Sequence, residues 1–401
     1  MTTINKPLGI YIHIPFCKKK CAYCDFLSFE TESAVIHKAY TKALIKEIEA
    51  RGAELNGNAV NGNKYFVNSI FIGGGTPSIL LPSMINDVIT AVKDSFNTDI
   101  NMEVTIEANP GTLSELKIKS YLKSGINRLS IGAQSFNDFI LKILRRAHFS
   151  DDIYTGFKMA REIGFDNINL DLMFAIPGQT IELWADTLSK AIELEPEHIS
   201  FYGLQIEEGT KFYEMFVKGP YEKISDELDR EMYHYAVEKL QGSGYEHYEI
   251  SNAAKAGYEC RHNIKYWSMD EYLGFGLGAH SYISGKRYGN IRGFDEYIEL
   301  AIEKADYEKL RESSQKNSFS DDVSEYMFTG LRKTKGISLD DFKKRFKKPI
   351  EEVYYREWPA IERYIKSGFL VVDGCMMNLS EKGIDISNKV MSEFILIHPA
   401  R

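Results

Sequence analysis

The sequence predicts an α/β protein, an incomplete (β/α)6 barrel followed by a small C-terminal α/β domain of winged-helix-like type. Three observations predict it. Six short apolar runs, at 9–14, 69–72, 104–107, 128–131, 168–172 and 198–203, end in Gly, Pro or polar residues and give way to helical patterns. The segments between them, among them 39–51, 82–96, 113–124 and 154–163, are amphipathic and long enough for the crossovers that parallel strands require. After about residue 285 the texture changes, and near the end two apolar runs flank Asp373-Gly374, a hairpin turn signal.

Each element has its place in that scheme. Residues 1–285 form the barrel and its substrate-facing extension, 286–322 a helical connector with a polar linker at 313–322, and 323–401 the small domain. The Asn- and Gly-rich stretch at 56–63 reads as a surface turn. Because the strands run parallel, their C-terminal ends share one mouth, where barrels of this kind place their chemistry.

Composition narrows the function. With 401 residues, 44% hydrophobic and 26% charged, the chain buries a sizeable core. A net charge of −8 supplies no drive toward nucleic acid or anionic lipid. The first nine residues lack the apolar run of a secretory signal, and no stretch approaches the roughly 20 apolar residues of a membrane span, so the expected address is the cytoplasm. Five cysteines in such a chain are not a disulfide framework.

Three of those cysteines fall in the loop after the first strand, as Cys17-Lys-Lys-Lys-Cys21-Ala-Tyr-Cys24. Three thiolates on one short loop suit three corners of an iron–sulfur cluster, and leave the fourth ligand open. Structural zinc wants a closed set of four, and no further Cys or His stands at zinc-finger spacing; His13 is the one alternative ligand nearby, or hydrogen-bonded scaffold. Lys18, Lys19 and Lys20 read as solvated charges that also soften a thiolate-rich site. Cys260 and Cys375 read as buried, inert thiols.

The C-x3-C-x2-C loop with an aromatic residue before its third cysteine resembles the signature of the radical S-adenosylmethionine superfamily. That resemblance implies a [4Fe–4S] cluster on Cys17, Cys21 and Cys24, whose open iron is chelated by the amino and carboxylate groups of S-adenosylmethionine. One electron then cleaves the sulfonium to a 5′-deoxyadenosyl radical. Gly74, Gly75 and Thr76, in a glycine turn after the second strand, would contact the amino group. Glu107 would accept from the ammonium or a ribose hydroxyl, Gln134 offers donor and acceptor, Arg146 would pair its fork with the carboxylate, and Asp171 would accept from the ribose. Tyr11 and the backbone of Tyr23 complete the set, near the methionyl carboxylate and the adenine. Each of these is unremarkable alone; their order along successive strand ends is what points to a site.

Residues 8–285 are similar to the coproporphyrinogen III dehydrogenase-like branch of that superfamily. The dehydrogenase carries a further cysteine two residues after the third, where this chain has Phe26. His262-Asn263-x-x-Tyr266-Trp267 matches an H-N-x-x-Y-W motif that the branch's haem-chaperone subgroup associates with haem. Imidazole ligates haem iron and aromatics flank a porphyrin, although such a segment also serves to seal a barrel. The resemblance therefore implies haem as cargo, haem-accepting respiratory proteins as partners, reached at the membrane surface where they are membrane-bound, and a flavodoxin- or ferredoxin-type reductant. The other reading is an oxygen-independent dehydrogenase that decarboxylates two propionates. The small domain resembles the one that follows the barrel across the branch; the chain's acidity argues against DNA binding, and a lid or docking role near the mouth is expected.

Overall fold

The computed structural model describes residues 6–57, 65–219 and 222–397, so the Asn- and Gly-rich stretch lies outside the described residues from position 58 on. Six parallel strands, β1 (Lys6–Ile14), β2 (Tyr65–Gly74), β3 (Thr98–Ala108), β4 (Arg128–Gln134), β5 (Ile168–Phe174) and β6 (His198–Gly203), lie side by side in chain order. Crossover helices α1 (Ala34–Gly57), α2 (Pro82–Ser95), α3 (Glu115–Ser124), α4 (Asp138–Ile143), α5 (Ser150–Ile163) and α6 (Ile181–Glu193) separate them. All six strands begin or end within a few residues of the apolar runs that foretell them.

The strands alternate in character. Ile10, Ile12, Ile70, Ile72, Val104, Ile106, Leu129, Ile131, Leu170 and Leu172 are buried in one continuous apolar core with residues of the helices. The positions between them carry His13, Ser69, Thr105, Glu107, Ser130, Asn169, Asp171, His198 and Ser200, and face the barrel interior. Register locks the polar positions together, pairing Ser69 with Glu103, Glu107 with Ser130 and Asp171 with Ser200.

Among the described residues the sheet does not pair its two ends. Beyond β1, Tyr272–Phe275 adds in parallel and His280–Ile283, Lys286–Asn290 and Arg311–Lys316 follow antiparallel; beyond β6, Asn252–Ala254 and Glu246–Glu249 add antiparallel. Where a helical connector and linker are expected over 286–322, the structure thus places two strands of the main sheet. Between them stand the helix Phe294–Ile298 and its π-helical continuation Glu299–Lys304. Arg311–Lys316 is an edge strand exposed along most of its length, so no buried face writes alternation into its sequence.

The small domain has its own core, including Val323, Met327, Phe342, Ile361 and Met377. The hairpin Leu370–Asp373 and Met376–Leu379 turns at Asp373-Gly374 as the sequence predicts, and Ile337–Ser338 adds a third strand. Cys375 is exposed on that turn, not buried as expected. The domain is also not a lid on the mouth. It straddles the open seam, with the N–H of Ile250 donating to Arg332 O at 3.1 Å on one side and Arg287 paired with Glu325 at 2.6 Å on the other. It covers the sheet edge at Glu246–Glu249, where Glu249 bridges to Lys333, and leaves the Arg311–Lys316 edge exposed.

Candidate functional site

The cysteine loop leaves β1 at Ile14 and is pinned at several points. Phe16–Cys17 forms a short parallel ladder with Phe29–Glu30, and Phe16 is fully buried beside His37 and Tyr40. Between the second and third cysteines, Ala22 is fully buried with Ile140, Leu144 and Phe212; its N–H donates to Leu144 O at 3.1 Å and its carbonyl accepts from Phe212 N at 3.0 Å. Apolar anchors on either side therefore set where the sulfurs stand.

The glycine turn after β2 fits against this loop at backbone distance. Gly74 has φ 115°, and a Cβ there would meet the His13 ring at 2.5 Å. A Cβ on Gly75 would lie 2.7 Å from Phe16 O and 3.0 Å from Cys17 Sγ. Thr76 donates its N–H to Phe16 O at 2.7 Å, and its hydroxyl points at Cys17 Sγ at 3.6 Å. Burial pushes the thiols of Cys17 and Cys24 up, the latter to about 11, so these sulfurs become thiolates when a cation takes the proton's place.

The strand ends supply the opposite wall. Arg146 Nη1 lies 3.4 Å from both Cys21 Sγ and Tyr23 OH, and Nη2 donates to Gly132 O at 2.7 Å. Its Nη atoms are turned to the cysteine loop and to Gly132, while its buried Nε has no partner among the described residues. Glu107 accepts from Gly74 N–H at 3.1 Å, and burial, then the charge of Asp171, pushes its carboxyl up to about 8. Gln134 adopts φ 64° at a bulge in β4, a strained conformation for a non-glycine residue that re-aims the strand end. Asp171 accepts from Asn169 at 2.8 Å and Ser130 at 3.0 Å. Asn169 in turn meets His198 Nδ1 at 2.6 Å, and His198 Nε2 meets Tyr248 OH at 2.8 Å, so a buried chain of polar groups orients the aspartate.

A cavity of about 400 Å3 brings these residues together. Cys17, Cys21, Cys24, Tyr23, Gly74, Gly75, Thr76, Glu107, Gln134, Arg146 and Asp171 all line it. Tyr11 does not; its hydroxyl is buried and bonded to His13 Nδ1 at 2.9 Å, so it supports the turn from below. Lys19, Lys20, Phe26, Asn109, Met173 and Tyr202 also line the cavity. Of these, Tyr202 had a signal, its place at the end of the sixth strand.

The H-N-x-x-Y-W residues are not at this mouth. They form the helix Arg261–Trp267, whose first N–H groups are capped by Glu103 at 3.1 and 3.0 Å. His262 is 1% exposed, with Nδ1 2.9 Å from Ser69 Oγ and Nε2 2.9 Å from Tyr266 OH. Burial pushes it down to about 3, so it is a neutral imidazole with both nitrogens engaged and, as placed, offers none to a haem iron. Trp267 lies under the Arg332 guanidinium at 4.4 Å, and Asn263 is half-buried beside it on the helix. The segment seals the barrel interior against the small domain. Cys260, at its N-cap, is a fully buried thiol pushed up to about 12 by burial, which fits the inert reading.

Comparison with known proteins turns this geometry into a family. Residues 11–191 match the model of the radical SAM superfamily and residues 320–386 that of the HemN C-terminal domain. The heme chaperone HemW of Lactococcus lactis subsp. lactis (strain IL1403) is 34% identical over 395 residues, covering 98% of both chains, and that of Bacillus subtilis (strain 168) is 36% identical, covering 96% of this chain and 98% of the relative. The chain belongs to the HemW family. Its fold is that of Escherichia coli coproporphyrinogen III oxidase (HemN), a radical SAM enzyme, with a TM-score of 0.84 at 21% identity over 98% of this chain and 91% of that one.

Membership in a radical SAM family implies a [4Fe–4S] cluster and S-adenosylmethionine, and the donor set fits both. Among the described residues no three Cys, His, Asp or Glu side chains close on one metal-sized point. A cuboidal cluster does not need that, since it takes each thiolate on a different iron. The Gly75 cradle and the Arg146 side chain both border the space where the cluster and its chelating ligand would stand.

Proposed function

We propose that this chain is a haem chaperone that holds one [4Fe–4S] cluster on Cys17, Cys21 and Cys24, takes S-adenosylmethionine into the mouth, and passes haem to acceptor proteins. The observation that carries the reading is the full-length similarity to proteins named heme chaperone HemW. Phe26, standing where the dehydrogenase has a further cysteine, supports it.

The cluster, when bound, supplies one-electron chemistry at an iron left open to the cosubstrate. The protein supplies position and charge. Glu107 takes the N–H groups of the amino end, with Gly74 to Thr76 giving close backbone approach on the same side. Asp171, fixed by Asn169 and Ser130, keeps a lone pair on each oxygen for ribose hydroxyls, and Gln134 offers a donor and an acceptor beside it. Arg146 holds positive charge against Cys21 and tempers a thiolate-rich centre. The electron comes from a flavodoxin- or ferredoxin-type reductant, and the acceptors are respiratory haem proteins. Among the described residues no helix is long and apolar enough to cross a membrane, so membrane-bound acceptors are met at their surface and the proposed address is the cytoplasm.

A cavity of about 400 Å3 lies at the small end of ligand sites, so cosubstrate and cluster occupy it and haem seats elsewhere. The test is anaerobic reconstitution followed by two assays on one preparation: an absorbance titration with haem, and incubation with coproporphyrinogen III, S-adenosylmethionine and a reductant. Haem binding without porphyrin turnover is expected. Turnover, or no haem binding, overturns the reading.

A further inference from the structure

We propose that the cleft between the barrel and the small domain, where Lys333, Lys344, Arg345 and Lys347 surround Tyr326 and Ser268, binds a ligand through carboxylate or phosphate groups. The chain as a whole is acidic, with net charge −8. Here, however, four cations line an opening of about 480 Å3 with one carboxylate in its wall, Asp341, and a second, Asp270, near enough to act on Lys333 and Arg345.

Two of the four charges, Lys333 and Arg345, are held in place by neutral partners, while Lys344 and Lys347 stand exposed. None of them belongs to an ion pair of 4.0 Å or less among the described residues. Lys333 Nζ donates to Ser268 Oγ at 3.3 Å, and Arg345 Nη2 donates to Met269 O at 3.3 Å with its guanidinium 5.2 Å from the Tyr326 ring centre. Both anchors are neutral. Lys333 is half-buried, and burial lowers its affinity for the proton, with Asp270 and Asp341 opposing. A partly dehydrated ammonium whose one close partner is a hydroxyl is short of an anion.

Helix-end electrostatics do not explain the group. Lys344 and Arg345, in the last turn of Leu339–Phe346, and its C-cap Lys347 suit the negative end of that helix. Lys333 comes from a different element, the turn after the helix Phe319–Gly330, and Ser268 and Met269 come from the barrel. The cations converge because the small domain docks across the seam. Anion sites are built this way, from fixed and unneutralised donors on several elements.

Location adds a second constraint. Ser268 and Met269 directly follow Trp267, and Met269 packs with Tyr266, Tyr272, Tyr282 and Tyr326, so an aromatic floor adjoins the charges. Glu271 O accepts from Gly9 N at 3.1 Å, which puts the cleft near the beginning of β1. The cysteine loop follows the other end of that strand, about 16 Å along it at 3.3 Å per residue. An occupant of the cleft therefore does not compete with one in the mouth. Resting on the haem-chaperone reading, one source of the carboxylates is the pair of haem propionates; the other source of such chemistry is free phosphate.

The experiment uses the reconstituted full-length protein, a Lys333→Gln/Lys344→Gln variant and a control, Lys119→Gln/Lys158→Gln, on the outer helices. Equal iron content and circular dichroism establish that all three are folded. Inorganic phosphate is titrated by calorimetry, and haem and haem dimethyl ester by absorbance. Phosphate affinity is expected to fall about tenfold or more in the cleft variant alone. Haem should bind the native chain about tenfold more tightly than its ester, and the cleft variant should erase that difference. Phosphate dependence without the ester difference supports the site and assigns it to phosphate. Absence of both overturns the proposal. Haem that fails to bind the native chain overturns the chaperone reading alone, since the phosphate titration still decides the cleft.

Discussion

Glu107→Gln probes the electrostatics of the mouth without changing its shape. The Glu107 carboxyl moves from an ordinary 4.5 to about 8 on folding, because the site is buried and Asp171 stands nearby. The folded state therefore holds a proton that the unfolded chain releases near pH 4.5. Between that value and about pH 8 the native state binds more protons, so stability falls as pH rises through the window and levels off above it. A shift of about 3.5 units at 1.36 kcal/mol per unit sets a ceiling of about 5 kcal/mol. The carboxylate reaches the cavity, and solvent there reduces this to about 2–3 kcal/mol. Glutamine has no proton to lose. Anaerobic denaturant unfolding of the cluster-free protein should thus show the variant gaining about 2–3 kcal/mol on the native chain between pH 5 and pH 9, with little difference at pH 5. A gap that does not change with pH would refute the placement of Glu107 as a buried acid. The same variant should bind S-adenosylmethionine about tenfold more weakly, because an amide cannot give up a proton to become the anion that pairs with the amino end.

Three further outcomes follow from named contacts. Gly75→Ala drives a methyl into Phe16 backbone and Cys17 Sγ, so iron and sulfide per reconstituted chain should drop by more than half while the fold persists by circular dichroism; full occupancy would show that the turn does not brace the loop. Asn169→Ala frees Asp171 and breaks the link to His198, and should weaken S-adenosylmethionine binding about tenfold at unchanged iron content, as read by equilibrium dialysis. His262→Ala leaves Ser69 and Tyr266 without their buried partner and should destabilise the protein by about 2–4 kcal/mol, yet the haem absorbance of the folded fraction should stay as it was; loss of the haem band at full stability would make His262 a ligand after all.

How much of this was legible in the sequence depends on what each residue's neighbours are. The six strands were plain because their buried apolar residues recur at alternate positions and each run stops at Gly, Pro or polar residues. The cysteine loop was plain because three cysteines on one short segment stand out by spacing alone. The edge strand Arg311–Lys316 was hidden because an exposed edge needs no apolar face. Arg146 lines the mouth, but its orientation depends on Gly132 O and on Cys21, 125 positions away in sequence. The engagement of His262 was invisible for the same reason, since Ser69 is 193 positions away. Cys375 looked buried because Met376 and Met377 follow it, although the turn it occupies after Asp373-Gly374 faces solvent. The small domain's place on the seam is a property of two sheet ends that only the folded chain brings within reach of one another.

The vacant corner of the cluster is the claim on which the rest depends, and electron paramagnetic resonance of the reduced, anaerobically reconstituted protein tests it most directly. A [4Fe–4S] signal that shifts when S-adenosylmethionine is added, and that is lost in a Cys21→Ala variant, is the predicted result. A signal indifferent to the cosubstrate, or a preparation holding no iron and sulfide, would contradict it.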